Sequence, residues 1–212
     1  MADSQCMRIR LRSTILAAVV ATAALAASAP AASAGLLVAS APDCSPKPTS
    51  KPFAPWNDLA DYTLAPGGAF EAGNPSWQLS GASIVAENEP WKVAGSSHRR
   101  SLKLPPGASA TSPVMCVGLE HPTLRFFARG NRALLSTLTV EVIFETSLGL
   151  RAAAPVGVLL PDGSWKPSPQ FLVVANLLPL LPGEYTPVQF RVRSVGLSTW
   201  WVDDFYVDPK CR

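Results

Sequence analysis

The last strand-like segment of the chain, residues 199–209, places the tightest constraint on the fold. It reads TWWVDDFYVDP, a run of aromatic and β-branched residues that favours a β-strand but also carries three carboxylates. Strand side chains alternate between two faces, so a regular strand here would bury a carboxylate whichever face pointed inward. A β-bulge at Asp203 and Asp204 resolves this conflict, because it brings Val202 and Phe205 to the same side. The segment therefore predicts a bulged closing strand, a feature common beside binding sites.

The chain from Trp56 onward predicts an all-β fold. Short apolar and β-branched runs recur between clusters of Gly, Pro, Asn and Asp, and no helical period persists over about ten residues. Residues 124–129, 138–144 and 188–193 alternate between apolar and polar side chains, as half-buried strands do, and we expect all three in one sheet with arginines on its outer face. The sequence Pro-Asp-Gly-Ser at 161–164 predicts a hairpin turn. Many short strands joined by turns indicate a β-sandwich or barrel.

The N-terminal part of the chain predicts secretion. Residues 1–34 contain three arginines, then a run rich in Ala, Val and Leu, and end in Ala-Ser-Ala, which together are typical of a signal peptide and its cleavage site. The apolar run is short of the ~20 strongly apolar residues of a membrane span, so no span is predicted. Residues 35–55 are rich in Ala, Ser, Pro and Lys and are expected to form a disordered leader, which leaves residues 56–212 as one domain. The net charge is +3, and it becomes smaller when the signal's arginines are removed. Such a low charge argues against a nucleic-acid partner, because proteins that bind nucleic acids carry a clustered basic excess.

Cleavage of the signal would also remove Cys6 and leave an odd number of cysteines in an oxidising compartment. We therefore expect one disulfide and one unpaired thiol. A bridge between Cys44 and Cys116 is favoured, because it would close a long loop over the irregular N-terminal segment. A bridge between Cys44 and Cys211, which would join the two ends of the domain, stays open as the alternative.

One family resemblance rests on two short motifs. Residues 67–73 read GGAFEAG and are followed by Trp77, while the closing strand contains Val-Asp-Asp before an apolar run. This pattern resembles the galactose-binding-like jelly rolls, which include many carbohydrate-binding modules. The chain also resembles a class of secreted actinobacterial proteins of undetermined function. The resemblance implies a jelly-roll β-sandwich.

The resemblance also implies a structural calcium ion. In such modules a glutamate of the first strand and an aspartate of the last approach each other and contribute to an oxygen shell. The matching positions in this chain are Glu71 with Asp203 or Asp204, and Ca²⁺ accepts six to eight oxygen ligands at ~2.3–2.6 Å. The alternative is that Glu71 pairs with an arginine while the aspartates cap the bulge.

Two sets of side chains are candidates for ligand contact. Trp91 and Trp165 lie beside turn signals, where an exposed indole ring can stack on a sugar. Trp200 and Trp201 point to opposite faces of a regular strand, so only one of them is expected in the core. The second set consists of side chains expected on an outer sheet face, namely Arg125, Phe127, Arg129, Arg191 and Arg193. The alternative for this face is a solvated surface with weak cross-strand charge pairs.

These features predict a secreted, non-catalytic β-sandwich that binds a glycan or another extracellular or cell-envelope ligand, with aromatic stacking as the main contribution. Only His98 and His121 are available as imidazole bases, and no motif of a serine hydrolase, metalloprotease or P-loop protein occurs. A structural or protein-interaction domain is the alternative, and a glycan hydrolase is third because its carboxylate pair has no fixed sequence spacing. A row of exposed aromatic residues would favour the first function, a broad apolar patch the second, and two carboxyls in a cleft the third.

Overall fold

The computed structural model describes residues 47–71, 76–118, 123–145, 150–173 and 185–208. Within these ranges, Ala54–Trp56 forms one turn of 3-10 helix and the other regular elements are β-strands. The strands are β1 (Thr63–Leu64), β2 (Gln78–Ser80), β3 (Ser83–Val85), β4 (Ser101–Leu104), β5 (Ser109–Thr111), β6 (Met115–Gly118), β7 (Thr123–Gly130), β8 (Thr137–Glu145), β9 (Arg151–Leu159), β10 (Lys166–Pro167), β11 (Phe171–Leu172), β12 (Tyr185–Val195) and β13 (Trp200–Val207). The described part of the chain contains no helix long and apolar enough to cross a membrane.

The strands form two antiparallel sheets, as the predicted all-β jelly-roll sandwich requires. One sheet has the order β10-β7-β13-β4-β3, with β1 paired to β13 and β11 paired to β7. The other has the order β2-β5-β12-β8-β9, with β6 paired to β12. We call them the seven-stranded and the six-stranded sheet. The closing strand β13 lies at the centre of the first sheet, between β7 and β4.

The main hydrophobic core lies between the two sheets. The inward side chains come from alternate positions of β7, β8, β12 and β13, and they include Phe126, Val140, Phe190, Val202 and Phe205. The Phe126 and Phe205 rings stack with their centroids 5.2 Å apart, and Phe190 lies 5.6 Å from Phe205 on the opposite sheet. Aromatic pairs of this kind add about 0.5–1.5 kcal/mol to the burial of their area.

The predicted bulge in the closing strand is confirmed. The register between β13 and β7 shifts between Asp203 and Tyr206, and Asp204 has a φ of +49°. As expected, the shift places Val202 and Phe205 on the same side, both in the core. Trp200 is buried whereas Trp201 is only half-buried on the other face, which confirms that one of this pair is in the core.

A second, smaller core covers part of the outer face of the seven-stranded sheet. The N-terminal segment brings Phe53 against Tyr62, Phe127 and Tyr206, and each of these side chains is almost fully buried. Ser50 forms an isolated β-bridge with Tyr62. Ordered structure therefore begins before Trp56, the start predicted from composition. The physical reason is that one aromatic side chain in a proline-rich segment buries enough area to dock the segment on the sheet.

Two predictions about strand arrangement are wrong. Residues 138–144 and 188–193 are neighbours in the six-stranded sheet, but residues 124–129 belong to the other sheet. The turn at residues 161–164 does not close a hairpin, because it joins β9 of one sheet to β10 of the other. Alternation of side chains identifies a strand but carries no information about its partner.

Cys116 lies in β6 and is disulfide-bonded. Its predicted partner Cys44 and the alternative Cys211 both lie outside the described residues. The pairing of Cys44 with Cys116 therefore stays a prediction.

Candidate functional site

The outer face of the six-stranded sheet carries polar and charged side chains in rows across the strands. Ala110, Val140 and Val192 point into the core, so the residues that alternate with them point outward. One row across the strands consists of Gln78, Thr111, Arg191, Glu141 and Pro155. The next row consists of Ser80, Ser109, Arg193, Thr139 and Val158.

Two adjoining cavities open on this face. One has a volume of about 260 Å³ and is lined by Val114, Ile143, Phe144, Glu145, Arg151, Pro187, Val188 and Gln189. The other has a volume of about 330 Å³ and is lined by Gln78, Thr111, Ile143, Arg151, Ala152, Ala153 and Arg191. Ile143 and Arg151 line both cavities, so the two lie side by side, and together we call them the arginine groove.

Hydrogen bonds fix the polar side chains of the arginine groove. The Nε–H of Arg191 donates to Glu141 Oε2 over 2.6 Å. The guanidinium of Arg151 donates to the amide oxygen of Gln189, whose Nε2 donates in turn to the backbone oxygen of Ser112 over 2.9 Å. Gln189 is only 9% exposed, so a buried amide holds the exposed Arg151 in a set orientation. The groove thus offers pre-oriented donors.

A second candidate surface lies on the outer face of the seven-stranded sheet and around its edge. We call it the tryptophan ridge, and it consists of Trp56, Trp91, Trp165 and Trp201. Trp91 is 45% exposed and its ring meets that of Trp56 edge-on at 4.9 Å, while the other three rings are half-buried. The Arg129 guanidinium lies 4.2 Å from the Trp201 ring and 5.9 Å from that of Trp165.

The side chains predicted to contact a ligand are divided between these two surfaces. Trp91, Trp165 and Arg129 belong to the ridge, whereas Arg191 and Arg193 are on the face of the arginine groove.

The remaining two, Arg125 and Phe127, do point outward from β7, but the N-terminal segment covers them. Phe127 has no exposed area and Arg125 only 8%, so a ligand on the surface cannot reach them. The prediction that Arg125 and Phe127 contact a ligand is therefore wrong, because the N-terminal segment docks on them, which its composition did not indicate.

The residues predicted to hold calcium lie in a cluster of carboxylates, formed by Glu71, Glu89, Asp203 and Asp204, beside the bulge. Glu89, Asp203 and Asp204 are buried, with 0%, 0% and 1% exposure. Segment 65–68 brings Glu71 to this position, because Phe205 N donates to Gly68 O and Ala65 N donates to Phe205 O. The segment with the Gly-Gly motif therefore lies beside the closing strand, as the resemblance implied.

Backbone N–H groups of residues 89–100 satisfy many oxygens of this cluster. Glu71 Oε1 accepts hydrogen bonds from the N–H groups of Arg99 and Arg100 at 2.6 and 2.7 Å, so its described partners are backbone groups and not a guanidinium. Asp203 Oδ1 accepts a bond from Asp204 N across the bulge. The other bonds of the cluster run from Glu89 N to Asp203, from Ala94 N to Asp204, and from Trp91 N and Val93 N to Glu89.

Charge repulsion remains in the cluster. Burial and the neighbouring Asp204 charge raise the pKa of Asp203. Burial also raises the pKa of Asp204, with Glu89 and Glu71 adding to the effect and the bond from Ala94 opposing it. Asp204 Oδ1 is buried and has no hydrogen-bond partner within the described residues.

The cluster's donor chemistry suits a hard cation such as Ca²⁺, because every donor is an oxygen. In the described ranges, however, no three His, Cys, Asp or Glu side chains are arranged to hold a metal ion.

Several site residues escaped sequence analysis. Gln78 and Arg151 line the arginine groove, but they come from strands distant in sequence, and their meeting depends on strand register. Glu89 joins the carboxylate cluster from a turn between Asn88 and Pro90. The sequence Asn88-Glu89-Pro90 could have identified Glu89, because Asn and Pro on both sides of an acidic residue favour a turn that holds its side chain.

No family model matches the chain, and no curated protein matches it in sequence. Among solved structures, the fold is similar to the CBM22-1 xylan-binding domain of Paenibacillus barcinonensis Xyn10C, with 13% identity, a TM-score of 0.48, and coverage of 72% of this chain and 97% of that one. It is also similar to the CBM22-1-GH10 modules of Clostridium thermocellum xylanase Xyn10B complexed with xylohexaose, with 14% identity, a TM-score of 0.50, and coverage of 71% and 29%. TmCBM61, solved in complex with β-1,4-galactotriose, matches at 16% identity and a TM-score of 0.38, with coverage of 68% and 95%. The match to the Xyn10B modules, at a TM-score of 0.50, agrees with the β-sandwich that the strand pairing shows.

Proposed function

We propose that this protein is a glycan-binding β-sandwich and that the arginine groove is its binding site. The observation that carries the proposal is the pair of adjoining cavities on the six-stranded sheet, whose linings include the polar side chains Gln78, Thr111, Arg151, Gln189 and Arg191. Sugar hydroxyls need many directional donors and acceptors, and fixed side chains supply them at low entropic cost. The Xyn10B modules complexed with xylohexaose, a solved neighbour at a TM-score of 0.50, support the same class of ligand.

The tryptophan ridge is the competing site for the same ligand. Exposed rings stack well on sugar faces, and Trp91 and Trp165 stay predicted contacts. Three observations favour the groove: Trp56 and Trp165 pack against the second core, the Arg129 guanidinium lies over the Trp201 ring, and the groove contains cavities of about 260 and 330 Å³.

Isothermal titration with a panel of purified plant and bacterial polysaccharides tests the function, and two pairs of variants test the site. We expect Gln78→Ala and Arg191→Ala to lose most of the affinity, because they remove groove donors. Trp91→Ala and Trp165→Ala should keep it. The opposite pattern would move the site to the ridge, and a wild-type protein that binds no polysaccharide in the panel would overturn the proposed function.

We further propose that the protein is secreted and acts without catalysis. The signal-like segment at residues 1–34 and the absence of catalytic motifs in the sequence support this. Sequencing the N-terminus of protein recovered from the culture medium checks the first point. Incubation with bound polysaccharide, followed by a reducing-end assay, checks the second.

We keep as a proposal the calcium ion that the resemblance implied at Glu71, Asp203 and Asp204, although the described residues do not form a ready three-ligand site. What supports it is the concentration of buried oxygens and the unpartnered Asp204 Oδ1. Calcium would supply positive charge to a site where carboxylates repel each other.

A protein-interaction role is the second candidate, favoured by exposed leucines at one end of the sandwich. Leu134, Leu135 and Leu197 are 87%, 98% and 75% exposed. Their loops are joined, since Ser136 Oγ accepts a hydrogen bond from Leu197 N over 2.8 Å. Sedimentation velocity of the wild type and of Leu134→Ser/Leu135→Ser tests this role: association that is lost in the variant supports it, and a monomer at all concentrations removes self-association from consideration.

A further inference from the structure

The chemistry of the arginine groove specifies its ligand more narrowly. None of the residues in the two transverse rows of this sheet face is aromatic, and Phe144, which lines one cavity of the groove, packs against the core between the sheets. Ring stacking, the usual source of affinity for neutral sugars, is therefore weak on this face. Recognition there depends on hydrogen bonds and charge.

Among the described residues, the charged groups on this face are Arg151, Arg191, Arg193, Glu141 and Glu145, so described cations outnumber described carboxylates. Arg191 bonds Glu141 through its Nε, at 2.6 Å. The two terminal nitrogens of the Arg191 guanidinium take no part in this bond. Glu145 is opposite Arg151 in the register of β8 and β9. No ion pair joins Arg151 or Arg193 to a carboxylate within the described ranges.

Arg151 is placed to meet a ligand. It is exposed and lines both cavities, so it marks the point where they join. Its partner Gln189 is neutral, buried and anchored to the backbone at Ser112, so the guanidinium is oriented by an uncharged group and forms no ion pair with a carboxylate of the described residues. A planar guanidinium with unused donors matches the two oxygens of a carboxylate.

We propose that the arginine groove selects glycans whose sugars carry carboxylates, such as uronic-acid polymers, and that Arg151 is the residue that contacts the carboxylate. This inference rests on the proposed function, and it names the ligand class for the same site. Arg191 and Arg193 extend the positive surface along β12, so a chain with repeated carboxylates would meet cations across the strands.

The test compares polygalacturonic acid with its methyl ester, which keeps the backbone and removes the charge. We expect the wild type to bind the acid at least about tenfold more tightly, the size of one charge-assisted hydrogen bond. The preference should shrink between about 0.05 and 0.5 M salt, because screening weakens exposed charge pairs. Dextran sulfate serves as a polyanion of different geometry.

Arg151→Gln should abolish the preference for the acid, so that the acid and the ester bind with equal, weak affinity. Arg100→Gln is the matched control, since it removes the same charge from an exposed residue next to β4 of the other sheet, and it should keep the preference. Equal binding of acid and ester, an unchanged preference in Arg151→Gln, or equally tight binding of dextran sulfate would overturn the inference. Failure of the wild type to bind any polysaccharide would instead overturn the proposed function.

Discussion

A buried ion pair joins the N-terminal segment to the seven-stranded sheet. Arg125 Nη1 lies 2.5 Å from Asp58 Oδ2, and the two side chains are 10% and 9% exposed. Arg125 also donates to Ser168 O and lies over the Phe53 ring, with 4.3 Å to its centroid. Removing one partner of such a pair leaves an uncompensated buried charge, which costs about 3–5 kcal/mol. This arginine therefore stabilises the second core and does not contact a ligand.

The same pair predicts a pH dependence of stability. Burial acts to raise the pKa of Asp58, but hydrogen bonds from Tyr62 and Arg125 outweigh it and hold the pKa below the ordinary value of 3.8. A carboxyl whose folded pKa is lowered stabilises the fold above its unfolded pKa, and this stability is lost as the pH falls through the folded pKa. Urea unfolding followed by tryptophan fluorescence should show this part of the stability disappearing below about pH 4.

Asp58→Asn should lower the free energy of unfolding at pH 7 by about 3 kcal/mol and flatten its acid dependence. The control is Asp61→Asn, because the pair of Asp61 with Lys51 is half-exposed, at 51% for both side chains. It should cost less than about 1 kcal/mol. Equal losses in the two variants would show that burial of the Asp58 pair has no special effect.

At the scale of strands, contact between the sheets depends on Gly157 in β9. A Cβ atom at this position would lie only 2.0 Å from Cδ1 of Phe171, which belongs to β11 of the other sheet. Gly157 also lies beside a register shift between β8 and β9, at Val140 and Glu141. Glycine inside a strand commonly marks such a close approach.

Gly157→Ala should therefore destabilise the protein by about 1–3 kcal/mol, because the Phe171 ring must move out of its place against Phe126. Thermal or urea unfolding measures the loss. The double variant Gly157→Ala/Phe171→Leu, compared with both single variants, isolates the clash: the two changes should cost less together than the sum of their separate costs. Strict additivity would mean that these two residues do not interact.

A feature of a strand could be predicted from the sequence when the residues that cause it lie in the same short segment. The bulge in β13 was predictable, because the conflict between two carboxylates and an apolar face lies within one segment. The sheet to which β7 belongs was not, since its alternation is satisfied equally well in either sheet. The polar face that holds the arginine groove was predictable only in part. Arg191 and Arg193 were identified as outward residues from the alternation within β12. Arg151 lies near them because β9 and β12 both pair with β8, and no local sequence pattern encodes that pairing.

For the molecule as a whole, the two outer faces differ in chemistry. The six-stranded sheet presents a polar groove, whereas the seven-stranded sheet is partly covered by the N-terminal segment and carries the tryptophan ridge. Strand β13 contributes to both the core and the carboxylate cluster. Its inward residues pack between the sheets, and its bulge turns Asp203 and Asp204 toward residues 89–100. Ligand binding and the proposed calcium ion are therefore expected to be separable by mutation.

The disulfide acts at the scale of the whole chain, since it joins β6 to a residue outside the described ranges. Peptide mapping of the mature protein without reduction should recover Cys116 linked to Cys44, with one unpaired thiol elsewhere. Reduction should lower the melting temperature, because the crosslink restricts the unfolded chain. A Cys116 peptide linked to Cys211 would establish the alternative pairing.

The proposed calcium ion predicts a change in the stability of the whole domain. The carboxylate cluster ties β13, residues 65–71 and residues 89–100 together, and a cation would offset repulsion among Glu71, Glu89, Asp203 and Asp204. A ligand at about 100 times its Kd adds ~2.7 kcal/mol to folding, so calcium in excess over a chelator should raise the melting temperature by roughly 5–10 °C. Glu71→Gln should reduce this shift, whereas Glu87→Gln, which alters an acidic residue paired with Arg129, should leave it unchanged. Identical melting in calcium and in chelator would show that backbone N–H groups alone hold the cluster, and that the resemblance does not extend to its metal.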